Sequence, residues 1–203
     1  MAPMDPVIRD ILEVALSEFA NYGFEGTRIE AITARTRTSK RMIYYHFNSK
    51  ENLYAQVLDY AYRIVRDGPP VERLDDLPPL QALLTFAGDA FDNFNRHPDF
   101  IRLTLQENLQ GARFLQSRSE IARLNQAGLA MVERTLRRGQ ADGTLRADVK
   151  ALDVYITFVG LCAYQISARP SFKALFGVDF FDPEVRAARR ASICDTLRRY
   201  VQA

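Results

Sequence analysis

Apolar residues recur three and four positions apart along most of the chain, and no stretch alternates apolar and polar residues as a β-strand does. The first such segment carries an apolar face over residues 8–19 and runs to Gly23, which suits the left-handed residue that ends many helices. The pattern predicts an all-α protein of about nine helices.

Start signals predict two short helices after the first. Thr27 and Glu30 have the spacing of a capping box, which predicts a second helix over about residues 28–35. Ser39 can cap a third helix over residues 40–46.

Asn48 and Glu51 repeat the capping-box spacing and predict a fourth helix directly after the third. Gly143 suits the C-terminal cap of a long helix. The later helices are predicted near residues 79–95, 98–109, 112–141, 148–168 and 183–201, with a less regular segment over 169–182.

An acidic stretch with no clear helical pattern is flanked on both sides by glycine and proline. These residues are Gly68, Pro69, Pro70, Pro78 and Pro79. We therefore expect one domain over residues 1–66 and a larger helical domain over 67–203.

Positive charge is concentrated in one short region. The whole chain has a formal net charge of +2, whereas residues 28–50 hold six cations against one carboxylate, a local net charge of +5. Two short helices joined by a tight turn, the second rich in cations, are typical of a helix-turn-helix. A solvated face on a small bundle is the alternative interpretation.

The third predicted helix has one apolar face and one cationic face. Ile43 and Phe47 are four residues apart and should pack inward, which leaves Lys40, Arg41 and Tyr44 facing the bases of a major groove. Tyr45 and His46 lie to the side and suit phosphate oxygens, as does Lys50 in the first turn of the next helix.

Residues 8–58 resemble the N-terminal domain of the TetR (tetracycline-repressor) family of bacterial regulators. The matching elements are A-x-x-x-F-x-x-x-G-F-x-G-T from Ala15 to Thr27 and Y-Y-H-F-x-S-K-E-x-L from Tyr44 to Leu53. The resemblance implies a three-helix helix-turn-helix DNA-binding domain followed by a helical ligand-binding and dimerisation domain. It also implies a homodimeric repressor of palindromic DNA that a small inducer releases.

Family members contact bases or phosphates at the positions matching Thr27, Lys40, Arg41, Tyr44, Tyr45, His46 and Lys50. To these we add the neighbouring polar residues Arg28, Arg37, Thr38 and Ser39. The family often has Ala-Gly-Val in the turn where this chain has Thr36-Arg37-Thr38. Either Arg37 takes the left-handed conformation, at about 1 kcal/mol or somewhat more, or the turn is remodelled.

The helix predicted over residues 148–168 is apolar nearly all round, so it needs cover on more than one side. With the last helix it could form a four-helix interface between two subunits, as in the family, or a purely intrachain core. The predicted interface residues are Tyr155, Val159, Cys162, Ile166, Val185, Ala188, Ser192 and Ile193.

An apolar cavity with a few polar groups is the usual ligand site, and aromatic residues are frequent after residue 80. The predicted ligand-binding residues are Phe91, Phe94, Gln106, Asn108, Phe114, Tyr155 and Phe158. The pattern from Phe158 through Tyr164 into the last helix resembles the subgroup that includes a pyrimidine-utilisation repressor, which favours a small polar heterocycle.

Motifs for catalysis and export are not found. The chain has no phosphate-binding glycine loop, zinc-ligand spacing, nucleophile elbow or signal peptide, and neither cysteine sits in a metal or redox spacing. We therefore expect no enzyme activity, cofactor, metal or membrane partner, and a cytoplasmic location. The alternative is an architectural or protein-interaction DNA-binding protein of the same fold without an inducer.

Overall fold

The computed structural model describes residues 4–66, 71–116 and 118–203. Within these residues the chain forms nine α-helices, one 3₁₀ helix over Val71–Leu74 and no β-strand, which confirms the all-α prediction. The helices are α1 (Pro6–Gly26), α2 (Ile29–Thr33), α3 (Lys40–Phe47), α4 (Lys50–Arg66), α5 (Pro79–Arg96), α6 (Pro98–Leu109), α7 (Ser119–Ala141), α8 (Ala151–Phe176) and α9 (Pro183–Val201). Gly68, Pro69 and Pro70 lie outside the described residues.

The helices pack as two compact units. The first unit comprises Met1–Arg66 and His97–Ile121, and the second comprises Asp67–Arg96 and Ala122–Ala203. By packing, α6 therefore belongs with the helices that precede residue 66. The functional division into residues 1–66 and 67–203 stays a prediction.

Gly23 breaks α1 without ending it. Its backbone is left-handed, with φ 68° and ψ 177°, and the helix resumes to Gly26. A Cβ atom at this position would lie 3.1 Å from the side-chain oxygen of Gln106, so the break also allows α6 to approach α1 closely.

The predicted capping box at Thr27 is wrong. The Thr27 hydroxyl is turned back toward α1, where it donates to the carbonyl oxygens of Glu18 (3.1 Å) and Gly23 (2.8 Å), so it does not cap α2. Arg28 occupies the N-cap of α2 and makes no side-chain capping bond.

A buried acid joins α6 to α4 in the first unit. Glu107 is 1% exposed, and it accepts hydrogen bonds from the Tyr54 hydroxyl (3.0 Å) and from the backbone N–H groups of Phe114 (2.6 Å) and Leu115 (3.2 Å). Burial, followed by the nearby Glu107, raises the pKa of Tyr54 well above its usual range. The rings of Phe24, Tyr54 and Phe114 pack around this group.

The start of α7 was predicted wrongly, at residue 112 instead of Ser119. Gly111 and Ala112 have left-handed φ values of 71° and 57°, which end α6 in a turn. Glu107 then accepts hydrogen bonds from the N–H groups of Phe114 and Leu115, so its side chain supplies the partner that the Phe114 N–H would find in a continuous helix. Gly143 is left-handed after α7, as predicted.

The end of α8 was predicted at residue 168, but the helix continues through Pro170 to Phe176. Asp179 stabilises these last turns, because it accepts hydrogen bonds from Arg169 (2.6 and 2.9 Å) and Lys173 (3.1 Å). These hydrogen bonds, with Arg169 the strongest, hold the pKa of Asp179 well below its usual range.

The second unit has an apolar core built from α5, α7, α8 and α9, with Leu83, Ala87, Leu136, Phe158 and Leu197 among its buried residues. Polar contacts fix α5 against α9, since Arg190 donates to Asp92 at 2.9 Å. Gly88 lies under the Arg190 guanidinium, where a Cβ atom would collide with it.

We expect Glu107→Leu to lower the free energy of unfolding of the first unit by about 3 kcal/mol, because the substitution leaves the Tyr54 hydroxyl and the Phe114 N–H unpaired. Urea denaturation followed by circular dichroism measures the loss. Glu25→Leu, at an exposed position of α1, is the control and should change stability by about 0.5 kcal/mol or less. Equal stability of the two variants would contradict the role given to Glu107.

Candidate functional site

The orientation of α3 agrees with the sequence prediction. Ile43 and Phe47 are each 1% exposed, and the Ser39 hydroxyl caps the helix by accepting from the Met42 N–H at 3.3 Å. The opposite side of the helix faces solvent, with 74% of Tyr45 and 40% of Tyr44 exposed. Lys40 and Arg41 are also exposed, and His46 is half-buried.

The turn between α2 and α3 is remodelled. Among the described residues, the left-handed positions that are not glycine are Asn48 and Ala112, so Arg37 bears no left-handed strain. The Arg37 N–H donates to the Asp10 carboxylate at 3.2 Å, which ties the turn to α1. The Arg37 side chain is exposed.

Lys40 forms an ion pair with Glu30 of α2, with 2.5 Å between Nζ and Oε1. This hydrogen bond raises the pKa of Lys40 and lowers the pKa of Glu30. Both side chains are more than half exposed, so the pair contributes little to stability. Its larger effect is to neutralise one cation of the exposed face.

The other cations of residues 28–50 have different roles. Arg35 pairs with Glu18, a carboxylate that is 8% exposed, and so fastens the turn after α2 to α1. The Lys50 ammonium lies 4.7 Å from the centre of the Phe24 ring. Arg28, Arg37 and Arg41 are exposed and form no ion pair with any residue that the structure describes.

The N-cap of α4 is Ser49, and the prediction of Asn48 is wrong. The Ser49 hydroxyl accepts from the Asn52 N–H at 3.1 Å, whereas Asn48 ends α3 with φ 61°. A left-handed residue is common after a helix, and Asn tolerates it better than most residues. Lys50 is thus the first residue of α4, close to the N-terminal N–H groups.

Thr27, one of the predicted DNA-contacting residues, is buried and hydrogen-bonded to α1. It is 2% exposed, its hydroxyl donates to two carbonyl groups, and its N–H donates to the Gly23 carbonyl at 3.3 Å. A phosphate accepts hydrogen bonds, and Thr27 has no unused donor to offer it.

The predicted ligand-binding residues are divided between the two units. Gln106, Asn108 and Phe114 belong to the first unit, where Phe114 packs on Phe24 and Tyr54 and Asn108 is exposed. The second unit holds Phe91, Phe94, Tyr155 and Phe158. All but Tyr155 are buried there.

Gln165 is a buried polar residue that the sequence-based prediction missed. It is 2% exposed on α8, and neither its amide nitrogen nor its amide oxygen has a hydrogen-bond partner. An unpaired polar group costs about 1–3 kcal/mol in a protein interior, so a buried amide of this kind calls for an explanation. The available signal was a single glutamine within the most apolar stretch of the chain.

Three of the predicted interface residues are buried within one chain. Cys162, Ile166 and Ile193 are at most 1% exposed within one chain, because they face its own core. The Cys162 thiol lies 3.9 Å from the Ala87 carbonyl oxygen, and burial raises its pKa to about 12.

The exposed apolar face of α8 is formed by other residues. Leu152, Ile156 and Tyr164 are 53%, 58% and 61% exposed, and they are spaced by four and eight residues along one side of the helix. On α9 the small residues Ala188 and Ser192 are exposed, and the remaining predicted positions Tyr155, Val159 and Val185 are half-buried.

Among the described residues, α8 is the one helix long and apolar enough to cross a membrane by length and composition alone. A core or interface helix of a soluble protein passes the same test, and 28% of its most apolar window is buried. The described residues contain no group of three or more His, Cys, Asp or Glu arranged to hold a metal ion.

Comparison with known proteins matches both parts of the chain. Residues 11–57 match the family described as "Bacterial regulatory proteins, tetR family", and residues 79–197 match "Tetracyclin repressor-like, C-terminal domain". The transcriptional repressor NicS of Pseudomonas putida is 30% identical over 94% of this chain and 90% of its own length.

Two further proteins are similar. The transcriptional regulator RutR of Escherichia coli is 35% identical over 52% of this chain and 49% of its own length. The crystal structure of the putative transcriptional regulator SCO4942 from Streptomyces coelicolor superposes with a TM-score of 0.70 at 28% identity, covering 95% of this chain and 97% of that one.

We expect Glu30→Gln to strengthen binding to duplex DNA of unrelated sequence, because the substitution frees Lys40 and removes a charge that repels phosphate. One added phosphate contact makes the slope of log K against log salt steeper by about 0.9, and raises affinity about five- to tenfold near 0.1 M salt. Fluorescence anisotropy over a salt series measures both quantities. Glu133→Gln, at an exposed position of α7, is the control, and an unchanged slope for Glu30→Gln would show that Lys40 gains no phosphate contact on DNA of unrelated sequence.

Proposed function

Because the chain belongs to the TetR family of bacterial transcription regulators, we propose that it is a repressor that binds a palindromic operator as a homodimer and is released by a small-molecule inducer. It is a DNA-binding regulator and not an enzyme. The observation that carries the proposal is the exposed face of α3, held outward because Ile43 and Phe47 are buried behind it.

Two kinds of contact are proposed on this face. Lys40, Arg41 and Tyr44 lie along the outer side of α3 near its start and are proposed to meet base edges in the major groove. Phosphate contacts are proposed for Arg28, Arg37, Thr38, Ser39, Tyr45, His46 and Lys50. The Ser39 hydroxyl accepts in its cap and keeps its proton for a phosphate oxygen.

The homodimer is proposed to form through α8 and α9. Leu152, Ile156 and Tyr164 present apolar surface that one chain leaves uncovered, and Ala188 and Ser192 are small enough to let a second helix approach closely. A two-fold dimer can hold two α3 helices about 34 Å apart, the spacing of successive major grooves on one side of DNA.

Release by an inducer is proposed to begin in the second unit. Its interior is apolar and aromatic and includes the unpaired amide of Gln165, which is the composition of a small-molecule site. A ligand that favours one arrangement of the second unit can shift the DNA-binding population, because the chain passes between the two units three times. Relatives named as repressors support the direction of regulation.

The alternative is a DNA-binding protein of this fold without an inducer, serving an architectural or protein-interaction role. A core filled throughout by apolar side chains would favour it. The buried, unpaired Gln165 favours the ligand-responsive function instead. Regulators of this family work in the cytoplasm, and we assign this chain to the same compartment.

A mobility-shift titration with palindromes from the promoter of the protein's own gene tests the proposal. We expect a discrete complex that fits two chains per palindrome, and its loss when a fraction of cell metabolites is added. Absence of a shift with any palindrome from that region would overturn the repressor function. A shift that no metabolite fraction reverses would favour the alternative without an inducer.

In the same assay we expect Lys40→Ala and Arg41→Ala each to weaken binding to the operator by about 1–3 kcal/mol and to relax its sequence preference. Arg63→Ala, at an exposed position late in α4, is the control and should keep the preference. An equal loss on operator and unrelated DNA would show that Lys40 and Arg41 contact phosphate only.

We expect Ile156→Glu to weaken the dimer about 100-fold, because it places a charge in the centre of the proposed interface without a partner. Sedimentation velocity measures the dissociation constant, and operator binding should fall with it. Leu109→Glu changes an apolar residue that is 71% exposed on α6 and should leave the dimer intact. A dimeric Ile156→Glu protein would contradict the proposed interface.

A further inference from the structure

We propose that the side-chain amide of Gln165 recognises the inducer by hydrogen bonds. The part of the inducer that faces Gln165 is then an uncharged, planar edge with adjacent hydrogen-bond donor and acceptor atoms. This inference rests on the proposed function, since it names the ligand class of the same site. Gln165 lies on α8 directly before Ile166, which is 1% exposed.

The helix packing places Gln165 at an aromatic level of the second unit. α5 runs antiparallel to α9, because Leu84 contacts Cys194 while Asp92 contacts Arg190. α8 and α9 are joined by a short connection and pack together, so α5 and α8 run in the same direction.

Phe91 is the aromatic residue at the level of Gln165. Cys162 of α8 contacts Ala87 of α5, so one further helical turn along each helix reaches Gln165 on one side and Phe91 on the other. Phe91 is 1% exposed. The amide therefore lies in the aromatic part of the unit, where a flat ligand would gain most from burial.

The charges of the second unit indicate an uncharged ligand edge. Among its described residues, the polar side chains that are fully buried are Thr135 and Gln165, and neither is charged. The Thr135 hydroxyl already bonds to the Met131 sulfur at 3.4 Å. Burying an ionised group costs far more than burying a neutral one, and the amide of Gln165 carries no charge that could offset this cost.

The chemistry of the amide defines the complementary edge. A primary carboxamide offers an N–H donor and a carbonyl acceptor side by side, the pattern with which Asn and Gln read the donor and acceptor edge of adenine. The matching small-molecule edge is a cis-amide, as in a lactam or a ring with adjacent N–H and C=O groups. A second amide on α5 has a spare acceptor, since Oδ1 of Asn95 is buried without a partner.

The probe is 2-pyridone, a flat ring with adjacent N–H and C=O groups, compared with N-methyl-2-pyridone, which lacks the donor. Isothermal titration calorimetry measures both probes on the wild type and on Gln165→Met, which keeps the length of the side chain and removes the amide. We expect the Kd to rise at least tenfold when the probe is methylated or when Gln165 is replaced by Met. The two changes together should weaken binding little further, because they remove the same pair of hydrogen bonds.

Gln81→Met, at an exposed position of α5, is the matched control and should bind 2-pyridone like the wild type. Gln165→Met should melt at or above the wild-type temperature, because it removes two unpaired polar atoms. A melting temperature several degrees lower would show that the amide is structural and would overturn the inference.

The inference is also overturned if 2-pyridone does not bind the wild type, or binds wild type and Gln165→Met equally. Operator binding by the wild type separates this outcome from the proposed function. If the wild type binds the operator but does not bind 2-pyridone more tightly than Gln165→Met does, only the role of Gln165 fails. If no operator is bound, the proposed function fails with it.

Discussion

The hydrogen bonds to Glu107 are the constraint on which the first unit depends. An acid that is 1% exposed persists in a protein interior only if its oxygen atoms are hydrogen-bonded, and here one hydroxyl and two backbone N–H groups serve. The donors come from α4 and from the turn after α6, so α6 stays attached to the helices that present α3. The surface for DNA and the first helix after residue 96 thus form one packed body.

The sequence predicted the features that depend on neighbouring residues in the chain. The spacing of Ile43 and Phe47 predicted which side of α3 is buried, and Ser39 predicted where the helix begins, because both signals act within one or two turns. Thr27 and Asn48 also have the spacing of helix-capping residues, but in the structure neither caps the helix that follows it. Helix α1 offers Thr27 two carbonyl groups, and Ser49 lies one residue closer to the start of α4.

Periodicity was less informative in the second unit, because it marks an apolar side without saying what covers it. Cys162, Ile166 and Ile193 have the same helical spacing as an interface seam, yet they face their own core. Leu152 and Ile156 lie on the uncovered side of α8 instead. A helix that is apolar nearly all round gives no signal that separates these two sides. The same limit applies to ligand residues, since Phe114 of the predicted set packs in the first unit.

The buried thiol of Cys162 has a consequence for the conditions under which the regulator works. Burial raises the pKa of the Cys162 thiol to about 12, so little thiolate forms at neutral pH, and the thiolate is the form that reacts with peroxides and electrophiles. Oxidants therefore react slowly with the sulfur of Cys162. A cell could undergo a burst of peroxide without this sulfur altering gene expression.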